Sequence, residues 1–262
     1  MEWNGYLPPL ASKHGGDIDL LIDVLHWFMG VLFVGWGIFL VYCLVRFRQR
    51  PGHTADYNLI KAKPSKYVEV LIVLIEVALL VGMSMPAWAR IKNEFPDPDE
   101  STIVRVVAQQ FAWNVHYAGP DGVFGPTSLK LIDETINPIG IDFDHPDGQD
   151  DVWTINEMHL PVNKPAIIRL TSKDVIHCFA LPTMRVKQDI IPGMEIKVWF
   201  EPIVEGASDI QCAQLCGYNH YSMQGRLHIE TEEKYQAWLA SLAEEEEEED
   251  DDEFDEDEDF DE

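Results

Sequence analysis

Positive charge is scarce in this sequence: Lys and Arg number 19 against 46 Asp and Glu, which gives a formal net charge of -27. Binding to the phosphate backbone of a nucleic acid requires a basic surface, so this composition argues against direct binding of a nucleic acid. The chain also lacks a C-x-x-C-H motif and therefore attaches no haem covalently. Its 46% of hydrophobic residues exclude an intrinsically disordered protein, and its 262 residues allow one or two domains.

The acidic residues are concentrated at the carboxyl end of the sequence. Every residue from Glu244 to Glu262 is acidic except Phe254 and Phe260. A block of like charges repels itself and cannot bury a core, so we predict a disordered acidic tail over residues 244–262. Such a tail either keeps the protein soluble or docks a basic partner.

Two long apolar runs predict membrane-spanning helices. Val24–Val45 contains no Asp, Glu, Lys or Arg, and Val70–Ala89 contains a single acid. About 20 apolar residues match a hydrocarbon core about 30 Å thick. We therefore expect helices at about 22–46 and 67–90, which form a transmembrane hairpin over residues 20–92. A cleaved signal peptide is disfavoured, because no small-residue cleavage site follows the first run.

The charges around the two runs predict their orientation. The connector from Arg46 to Lys66 carries six Lys or Arg residues against a single Asp. Cytoplasmic loops hold such an excess of Lys and Arg, so the connector should be cytoplasmic. Both termini then lie on the outer, periplasmic side. Residues 1–19 form an external segment, and residues 100–243 form an external domain.

Two acids lie in or near the second apolar run. Glu69 is close to its cytoplasmic end, and Glu76 lies seven residues deeper in the sequence. This spacing is about two helical turns, so both side chains point to the same side. Acids inside a membrane usually face protein or a cavity. We interpret Glu76 as a buried paired or protonated acid, and Glu69 either as an interfacial, solvated acid or as a functional one.

From Thr102 the sequence changes to short segments rich in β-branched and aromatic residues, separated by Gly, Pro, Asn and Asp. Many short strands between turn signals predict an all-β sandwich or barrel. The predicted strands are Thr102–Ala108, Phe111–Tyr117, Ala166–Thr171, Glu195–Phe200 and Arg226–Ile229. Residues 119–151 should form a long surface excursion. Residues 231–243 should form a helix capped by Thr231, with an apolar stripe that packs on the sandwich.

Potential metal ligands are concentrated in one short segment, which contains Cys212, Cys216, His220 and Met223. His177 supplies a second imidazole at the end of a strand. Thiolate, imidazole and thioether ligands together favour copper, and a mononuclear blue-copper site needs one Cys, two His and a weak Met. The additional Cys allows two thiolates to bridge two copper ions, each with one His. We therefore predict an electron-transfer site, in which Met223 is a weak ligand of one copper and a backbone carbonyl binds the other.

Three other interpretations of this segment stay open. A disulfide between its two cysteines would leave the His and Met residues without a role. Two Cys and two His also suit zinc, which does not need a thioether. The spacing also fits an apolar stripe on a helix, although Gly217 in the middle favours a loop. Cys43, in the first apolar run, and Cys178 are interpreted as buried packing residues.

The segment from Cys212 to Met223 has the spacing C-x3-C-x3-H-x2-M. In this spacing the chain resembles subunit II of the haem-copper cytochrome c oxidases, whose binuclear copper centre is named CuA. The resemblance covers about residues 20–240 and extends to Asp174–His177, Leu181-Pro182 and Lys187–Gly193. It implies a two-helix transmembrane hairpin plus an all-β cupredoxin-like sandwich or barrel, in a bacterial-type plasma membrane or an equivalent energy-transducing membrane.

The resemblance also implies the residues of the metal site. The matching copper ligands are the side chains of His177, Cys212, Cys216, His220 and Met223 and the backbone carbonyl of Gln214. Gln214 is a departure, because the family usually has Glu there, whose carboxylate also reaches a magnesium ion at the boundary with subunit I. Gln keeps the carbonyl, so copper binding should survive, whereas the magnesium site is in doubt. No catalytic residue of oxygen reduction is expected in this chain, since the haems belong to subunit I.

Two aromatic residues are candidates for electron entry. Where this chain has Gln110-Phe111-Ala112-Trp113, the family commonly has Q-W-x-W, and its first Trp is the entry point beside the cytochrome c docking patch. Phe111 takes that position and is harder to oxidise than Trp, whereas Trp113 is kept and is alternatively a core aromatic. Glu69 matches the family acid near the entrance of a proton pathway into subunit I, so it is the proton-pathway candidate.

The family implies that electrons pass from cytochrome c through CuA to haem in subunit I, where oxygen is reduced to water and protons are pumped. The expected partners are therefore subunit I, a separate cytochrome c and membrane lipid. An acidic surface steers a basic cytochrome c, or is simply solvated. The candidate acids for this role are Asp142, Asp144, Asp147, Asp150 and Asp151.

Two alternative functions are left open by the sequence. A CuA subunit of a nitric oxide reductase would use the same electron-entry module, and only subunit I distinguishes it from an oxidase. A zinc-stabilised, membrane-tethered binding module would use the Cys and His residues without any redox role.

Overall fold

The computed structural model describes residues 7–52, 54, 57 and 63–242. Two helices, Gly15–Arg46 and Lys63–Asn93, are long and apolar enough to cross a membrane. A β domain follows them in the sequence and forms a compact unit of its own. The predicted acidic tail over residues 244–262 and much of the connector between the helices lie outside the described residues.

Both helices are longer than the predicted 22–46 and 67–90. An apolar run marks only the length that lipid can surround, and a helix continues beyond it where polar residues tolerate helical geometry. Asp17 lies in the first turn of the first helix, where a negative charge suits the helix dipole. Arg90, near the end of the second helix, lies 3.5 Å from Asp17. These two ends are therefore side by side, as in a hairpin.

The second helix changes its hydrogen-bond pattern just before Pro86. Leu80–Ser84 form a π-helical turn, and the amide of Met85 donates to the carbonyl of Leu80. The α-helical segments on either side are Lys63–Leu79 and Met85–Asn93. Pro86 has no amide hydrogen, and its ring crowds the carbonyl four residues earlier. The wider turn lets the helix continue past the proline.

Ten strands build the part of the β domain that the structure describes. They are β1 Thr102–Gln109, β2 Ala112–Tyr117, β3 Val152–Ile155, β4 Glu157–Pro161, β5 Ala166–Ser172, β6 His177–Leu181, β7 Val186–Ile190, β8 Ile196–Phe200, β9 Gly206–Cys212 and β10 Gln224–Glu230. They form two five-stranded sheets, with the orders β3-β2-β1-β5-β8 and β4-β10-β9-β6-β7. The predicted all-β sandwich is thus confirmed. The strands missing from the prediction are β3, β4, β6, β7 and β9.

The core lies between the two sheets. Inward-facing residues of both sheets belong to one buried cluster, in which Trp113 and Phe200 of one sheet and Phe179 of the other are fully buried. In β1 the alternating pattern places Val104 and Val106 in this cluster. Strand alternation is therefore what turns the apolar pattern of the sequence into a closed core.

The excursion between β2 and β3 is anchored by a buried pair of side chains. His116 of β2 and Asp151 are both fully buried, and His116 Nε2 lies 2.7 Å from Asp151 Oδ2. The same oxygen accepts a hydrogen bond of 2.8 Å from the amide of Gly125. The prediction of Asp151 as an exposed steering acid was therefore wrong. Its carboxylate is used inside the domain, because His116 and a backbone amide of the excursion both require an acceptor there.

This pair predicts that the stability of the β domain falls as the pH drops below about 6.5. Burial lowers the pKa of His116 from 6.5 more than Asp151 raises it. In this pH range the unfolded chain binds a proton that folded His116 does not, until the pH reaches the lowered pKa of the folded state. One proton contributes up to about 1.4 kcal/mol per pH unit. Thermal unfolding of the detergent-solubilised chain at pH values on either side of 6.5 measures this pH dependence of stability. His116→Gln should reduce the pH dependence, and an unchanged dependence would contradict the assignment.

Residues 7–13 are part of the β domain. The amide of Ala11 donates to the carbonyl of Thr183, and the amide of Ile203 donates to the carbonyl of Ala11, both over 2.9 Å. Ser12 Oγ donates to the carbonyl of Met184 over 2.7 Å, and both Ala11 and Ser12 are fully buried. Our prediction treated this stretch only as an external segment, because seven residues that include two prolines show no alternating pattern that indicates such pairing.

The final described element is a helix over residues 232–242. The amide of Lys234 donates to Thr231 Oγ1 over 3.4 Å, as expected for an N-terminal cap. Tyr235 is buried in the core of the sandwich, and Trp238 and Leu239 pack against it. The predicted cap and apolar stripe are thus both present.

Candidate metal centre

Two neighbouring strands and one loop bring the predicted metal ligands together. His177 begins β6 and Cys212 ends β9, and these strands pair with Phe179 opposite Cys212. Cys216 and Met223 lie in the loop between β9 and β10, which folds back over the end of the sheet. A hydrogen bond of 3.0 Å from the amide of Ala213 to the carbonyl of Cys178 fixes the start of this loop.

The two cysteine sulfurs form the middle of the cluster, with their Sγ atoms 3.8 Å apart. His177 Nδ1 lies 3.9 Å from Cys212 Sγ, and His220 Nδ1 lies 3.6 Å from Cys216 Sγ. Met223 Sδ is 3.7 Å from Cys216 Sγ. The carbonyl oxygen of Gln214 is 3.2 Å from Cys212 Sγ. The arrangement is a pair of sulfurs flanked by one imidazole on each side, with a thioether near one sulfur and a carbonyl near the other.

The cluster is mostly shielded from water. His177 is fully buried, and Cys216 and Met223 are buried, whereas Cys212 and His220 are partly exposed. Burial, reinforced by the neighbouring Cys212, raises the pKa of the Cys216 thiol to about 12. Without a metal this residue is therefore a neutral thiol, and a metal ion must displace its proton on binding.

Asp174 fixes the orientation of the His177 ring. Its Oδ1 lies 2.9 Å from His177 Nε2, which leaves Nδ1 to face the sulfurs. Asp174 itself accepts hydrogen bonds of 2.6 Å from the amides of Val175 and Gln110. Burial opposes its ionisation, but the hydrogen bonds from His177 and the two amides outweigh that effect and lower its pKa. A carboxylate behind a metal-binding imidazole fixes the tautomer and the direction of the free nitrogen. Asp174 belongs to the Asp174–His177 motif, but the spacing of that motif does not by itself indicate this role.

A second hydrogen bond supports the loop between β9 and β10, which carries Cys216. Gln110 Nε2 donates to the carbonyl of Cys216 over 2.6 Å. Gly217 has a φ of +146°, and a Cβ at this position would lie 2.7 Å from Gln110 Nε2 and 2.9 Å from the Phe111 ring. Only glycine therefore fits between the loop and the β1–β2 turn.

The other interpretations of the cysteines do not fit this geometry. All four cysteines lie in the described part of the chain and are free. A separation of 3.8 Å between the Cys212 and Cys216 sulfurs is far longer than the about 2.05 Å of a disulfide. Residues 213–219 are not helical, so a helical stripe is excluded as well. Cys178 is buried and pairs across β7 with Asp189; burial, followed by that carboxylate, raises its pKa to about 12.

The two aromatic candidates for electron entry occupy different positions. Phe111 is partly buried, and its ring meets that of Tyr218 edge-on at 5.2 Å between centroids. Trp113 has no exposed surface and contacts the rings of His177 and Phe179, at 6.3 and 5.6 Å. A fully buried ring cannot touch a docked protein directly. Trp113 is thus a core residue beside a predicted ligand, and electron entry through either ring stays a prediction.

Glu69 and Glu76 lie on the second helix, within the segment Lys63–Leu79. Their roles stay predictions, since they depend on a subunit I that is a separate chain. Of the proposed steering acids, Asp144 is exposed, and Asp142, Asp147 and Asp150 are partly exposed.

Comparison with known proteins identifies the family of the β domain. The family described as "Cytochrome C oxidase subunit II, periplasmic domain" matches residues 103–229. An alternative cytochrome c oxidase subunit 2 from Bradyrhizobium diazoefficiens is 35% identical over 232 residues, which are 88% of this chain and 82% of the relative. A cytochrome c oxidase subunit 2 from Synechocystis sp. is 26% identical over 260 residues, which are 92% of this chain and 76% of the relative.

The chain is also similar to part of a solved structure. The crystal structure of the periplasmic domain of subunit II of cytochrome oxidase from Bradyrhizobium japonicum is 27% identical. The match covers 57% of this chain and 97% of that one, with a TM-score of 0.42.

The fold and the site define a membrane-anchored protein whose outer, cupredoxin-like domain carries a cluster of Cys, His and Met side chains suited to a metal. The chain belongs to the cytochrome c oxidase subunit II family, a copper-containing family. It is a subunit of a haem-copper oxidase complex, which implies a partnership with subunit I. Neither the nitric oxide reductase nor the zinc-stabilised module is favoured by these comparisons.

Proposed function

We propose that this chain is the electron-entry subunit of a respiratory terminal oxidase. Two copper ions would be held by the side chains of His177, Cys212, Cys216, His220 and Met223 and by the carbonyl of Gln214. In this role the chain takes electrons from a separate cytochrome c and delivers them to haem in subunit I, where oxygen is reduced to water. The observation that supports this most is the pair of cysteine sulfurs 3.8 Å apart, each with its own imidazole nitrogen within 4 Å.

The donor set fits copper better than zinc. Zinc binds Cys and His but has no use for a thioether, whereas copper electron-transfer sites combine Cys, His and a weak Met. Met223 is buried, and its sulfur faces that of Cys216 at 3.7 Å. A metal shared by both sulfurs would therefore find a soft ligand in place without a rearrangement of the core.

The chain holds the proposed copper ligands rigidly and keeps water away from them. Asp174 holds the His177 ring, and Gln110 holds the backbone of Cys216 through a side-chain hydrogen bond. Two bound copper ions supply a centre that shares one electron over two metals, so the geometry changes little on each redox step. Fixed ligands on paired strands keep that change small.

A docking surface for cytochrome c is available beside the metal centre. The loop between β9 and β10 presents three large side chains to solvent: Leu215, Tyr218 and Tyr221 are 75%, 91% and 87% exposed. Acids elsewhere on the domain, such as Asp144, would attract a basic partner. The large exposed side chains beside the metal centre would then make apolar contacts with it. Phe111 reaches this surface through its edge contact with Tyr218.

The orientation in the membrane completes the proposal. The basic connector lies on the cytoplasmic side, and both termini and the copper domain lie on the outer side, which supports electron delivery from outside. In this orientation Glu69 lies near the cytoplasmic end of the second helix, where a proton-pathway acid would be useful.

Metal analysis of the purified, untagged full chain tests this function. We expect two copper ions per chain and an absorption band in the near infrared from the shared electron. A chain that retains zinc alone after exposure to copper would overturn the proposal in favour of a zinc-stabilised module.

Replacing Gln214 by Glu is expected to keep the copper centre and to add an ion-binding carboxylate. The backbone carbonyl is unchanged by this substitution, whereas the neutral amide becomes a hard anionic ligand. The purified oxidase complex carrying Gln214→Glu should therefore bind more manganese, a spectroscopic substitute for magnesium, with unaltered copper content. An unchanged manganese signal would contradict the expectation.

A further inference from the structure

A second group of potential metal ligands lies on the edge strand β4 and its neighbour β10. These strands run parallel, and His159 stands directly opposite His228 in their register. Glu157 is two residues before His159, and Glu230 is two residues after His228, so all four side chains project from the same face of the sheet. None of them belongs to the copper site proposed above.

The hydrogen bonds of His159 leave one nitrogen free to bind a cation. His159 Nδ1 lies 3.0 Å from Glu230 Oε2, so the ring donates its Nδ1 proton to this carboxylate. The Nε2 atom of a neutral ring then carries a lone pair. Among the described residues, neither this atom nor His228 Nε2 has a hydrogen-bond partner, although both atoms are buried.

The carboxylate of Glu157 lies close to the imidazoles of His159 and His228. Glu157 Oε2 lies 3.8 Å from His159 Nε2. One ligand atom from each of Glu157, His159 and His228 lies within 4.8 Å of the other two. A nitrogen lone pair and a carboxylate that converge beside a second imidazole form an arrangement that a cation satisfies.

The surrounding rings hold His159 in place. Its side chain is 9% exposed, and it lies between Trp238 of the C-terminal helix and His228. The Trp238 ring stacks on it at 3.9 Å with an interplanar angle of 12°, and the His228 ring stacks at 4.3 Å and 13°. A metal lies in the plane of each imidazole that binds it, so the partly exposed His228 ring must tilt out of this stack on binding.

We propose that Glu157, His159 and His228 form a binding site for a borderline divalent cation of the zinc class. Two imidazoles and one carboxylate are a ligand set that zinc accepts, with a water in the remaining position. Glu230 acts behind His159 as Asp174 acts behind His177, fixing the tautomer and pointing the free nitrogen at the ion. The Glu157 side chain is 58% exposed, which gives the ion a path from solvent.

A bound ion would connect two strands that hydrogen bonds already pair and would also immobilise the ring on which Trp238 rests. The site therefore couples metal availability outside the membrane to the docking of the C-terminal helix. This inference does not depend on the proposed copper function, because it uses different residues on different strands.

Zinc titration of the copper-loaded, untagged full chain in detergent tests the proposal. Competition with a fluorescent zinc chelator should reveal one zinc ion per chain that His228→Gln abolishes. The matched control is His145→Gln, since His145 lies on the excursion outside this group and its loss should leave zinc binding unchanged. If the wild-type chain binds no more zinc than His228→Gln, or if both variants lose it equally, the proposal is wrong.

Three further variants keep the test decisive if His228→Gln unfolds. Glu157→Gln changes an exposed side chain and should weaken zinc binding without altering the fold. Glu230→Gln should weaken it by about 10-fold to 100-fold, as expected for a residue that only orients a ligand. Zinc should also change the fluorescence of wild-type protein but not of Trp238→Phe to the same extent. Unchanged zinc affinity in Glu157→Gln and Glu230→Gln would overturn the site.

Discussion

Replacing Cys216 by serine is expected to remove the binuclear copper centre and to abolish cytochrome c oxidation by the assembled oxidase, while the two helices still insert. Cys216 Sγ lies 3.8 Å from Cys212 Sγ, 3.6 Å from His220 Nδ1 and 3.7 Å from Met223 Sδ. Like Cys212 Sγ, it is surrounded by three other proposed ligand atoms. A serine hydroxyl is not a soft ligand and cannot bridge two coppers as a thiolate does.

Copper content per chain and oxidase turnover measure this effect. The matched control is Cys178→Ala, which removes a buried thiol from the face of β6 opposite to the ligand His177. That variant should keep its copper. Full copper content and full turnover in Cys216→Ser would contradict the assignment of the ligands.

Replacing Asp174 by asparagine is expected to weaken copper binding by about 10-fold to 100-fold, although Asp174 touches no metal. The carboxylate holds His177 Nε2 at 2.9 Å and also accepts from the amides of Val175 and Gln110. An amide carries no charge and offers a single acceptor oxygen. It therefore holds the imidazole less firmly, and the direction of His177 Nδ1 toward Cys212 is less well defined.

Resistance of the bound copper to a competing chelator measures this loss, with circular dichroism as the check that the fold is intact. Asp147→Asn makes the same chemical change in the excursion, outside the metal centre, and should leave copper retention unchanged. Equal retention in Asp174→Asn and the wild-type chain would show that the His177 ring needs no support from this carboxylate.

Some of the fold follows directly from sequence patterns. The apolar runs predict both long helices, because lipid demands continuous apolar surface. Alternation predicts the central strands β1, β2 and β5, where one face is buried in the core. It misses strands such as β7, Val186–Ile190, in which the three middle residues are polar. The pairing of such a strand is determined by its neighbours in the sheet.

Local spacing predicts the metal cluster, because its ligands mostly come from one loop. The residues that orient them come from elsewhere in the chain. Gln110 reaches the carbonyl of Cys216 across 106 positions of sequence, and Asp151 meets His116 across 35. Such contacts depend on the register of paired strands, which a single sequence does not specify at this distance. For this reason a charge pattern alone does not predict the burial of Asp151.

Electron paramagnetic resonance of the oxidised, copper-loaded chain tests the central claim most directly. If Cys212 and Cys216 bridge two copper ions, the unpaired electron should show hyperfine coupling to two equivalent copper nuclei, and Cys216→Ser should lose that pattern. A signal from a single copper nucleus, or no signal in a chain that contains only zinc, would contradict the account.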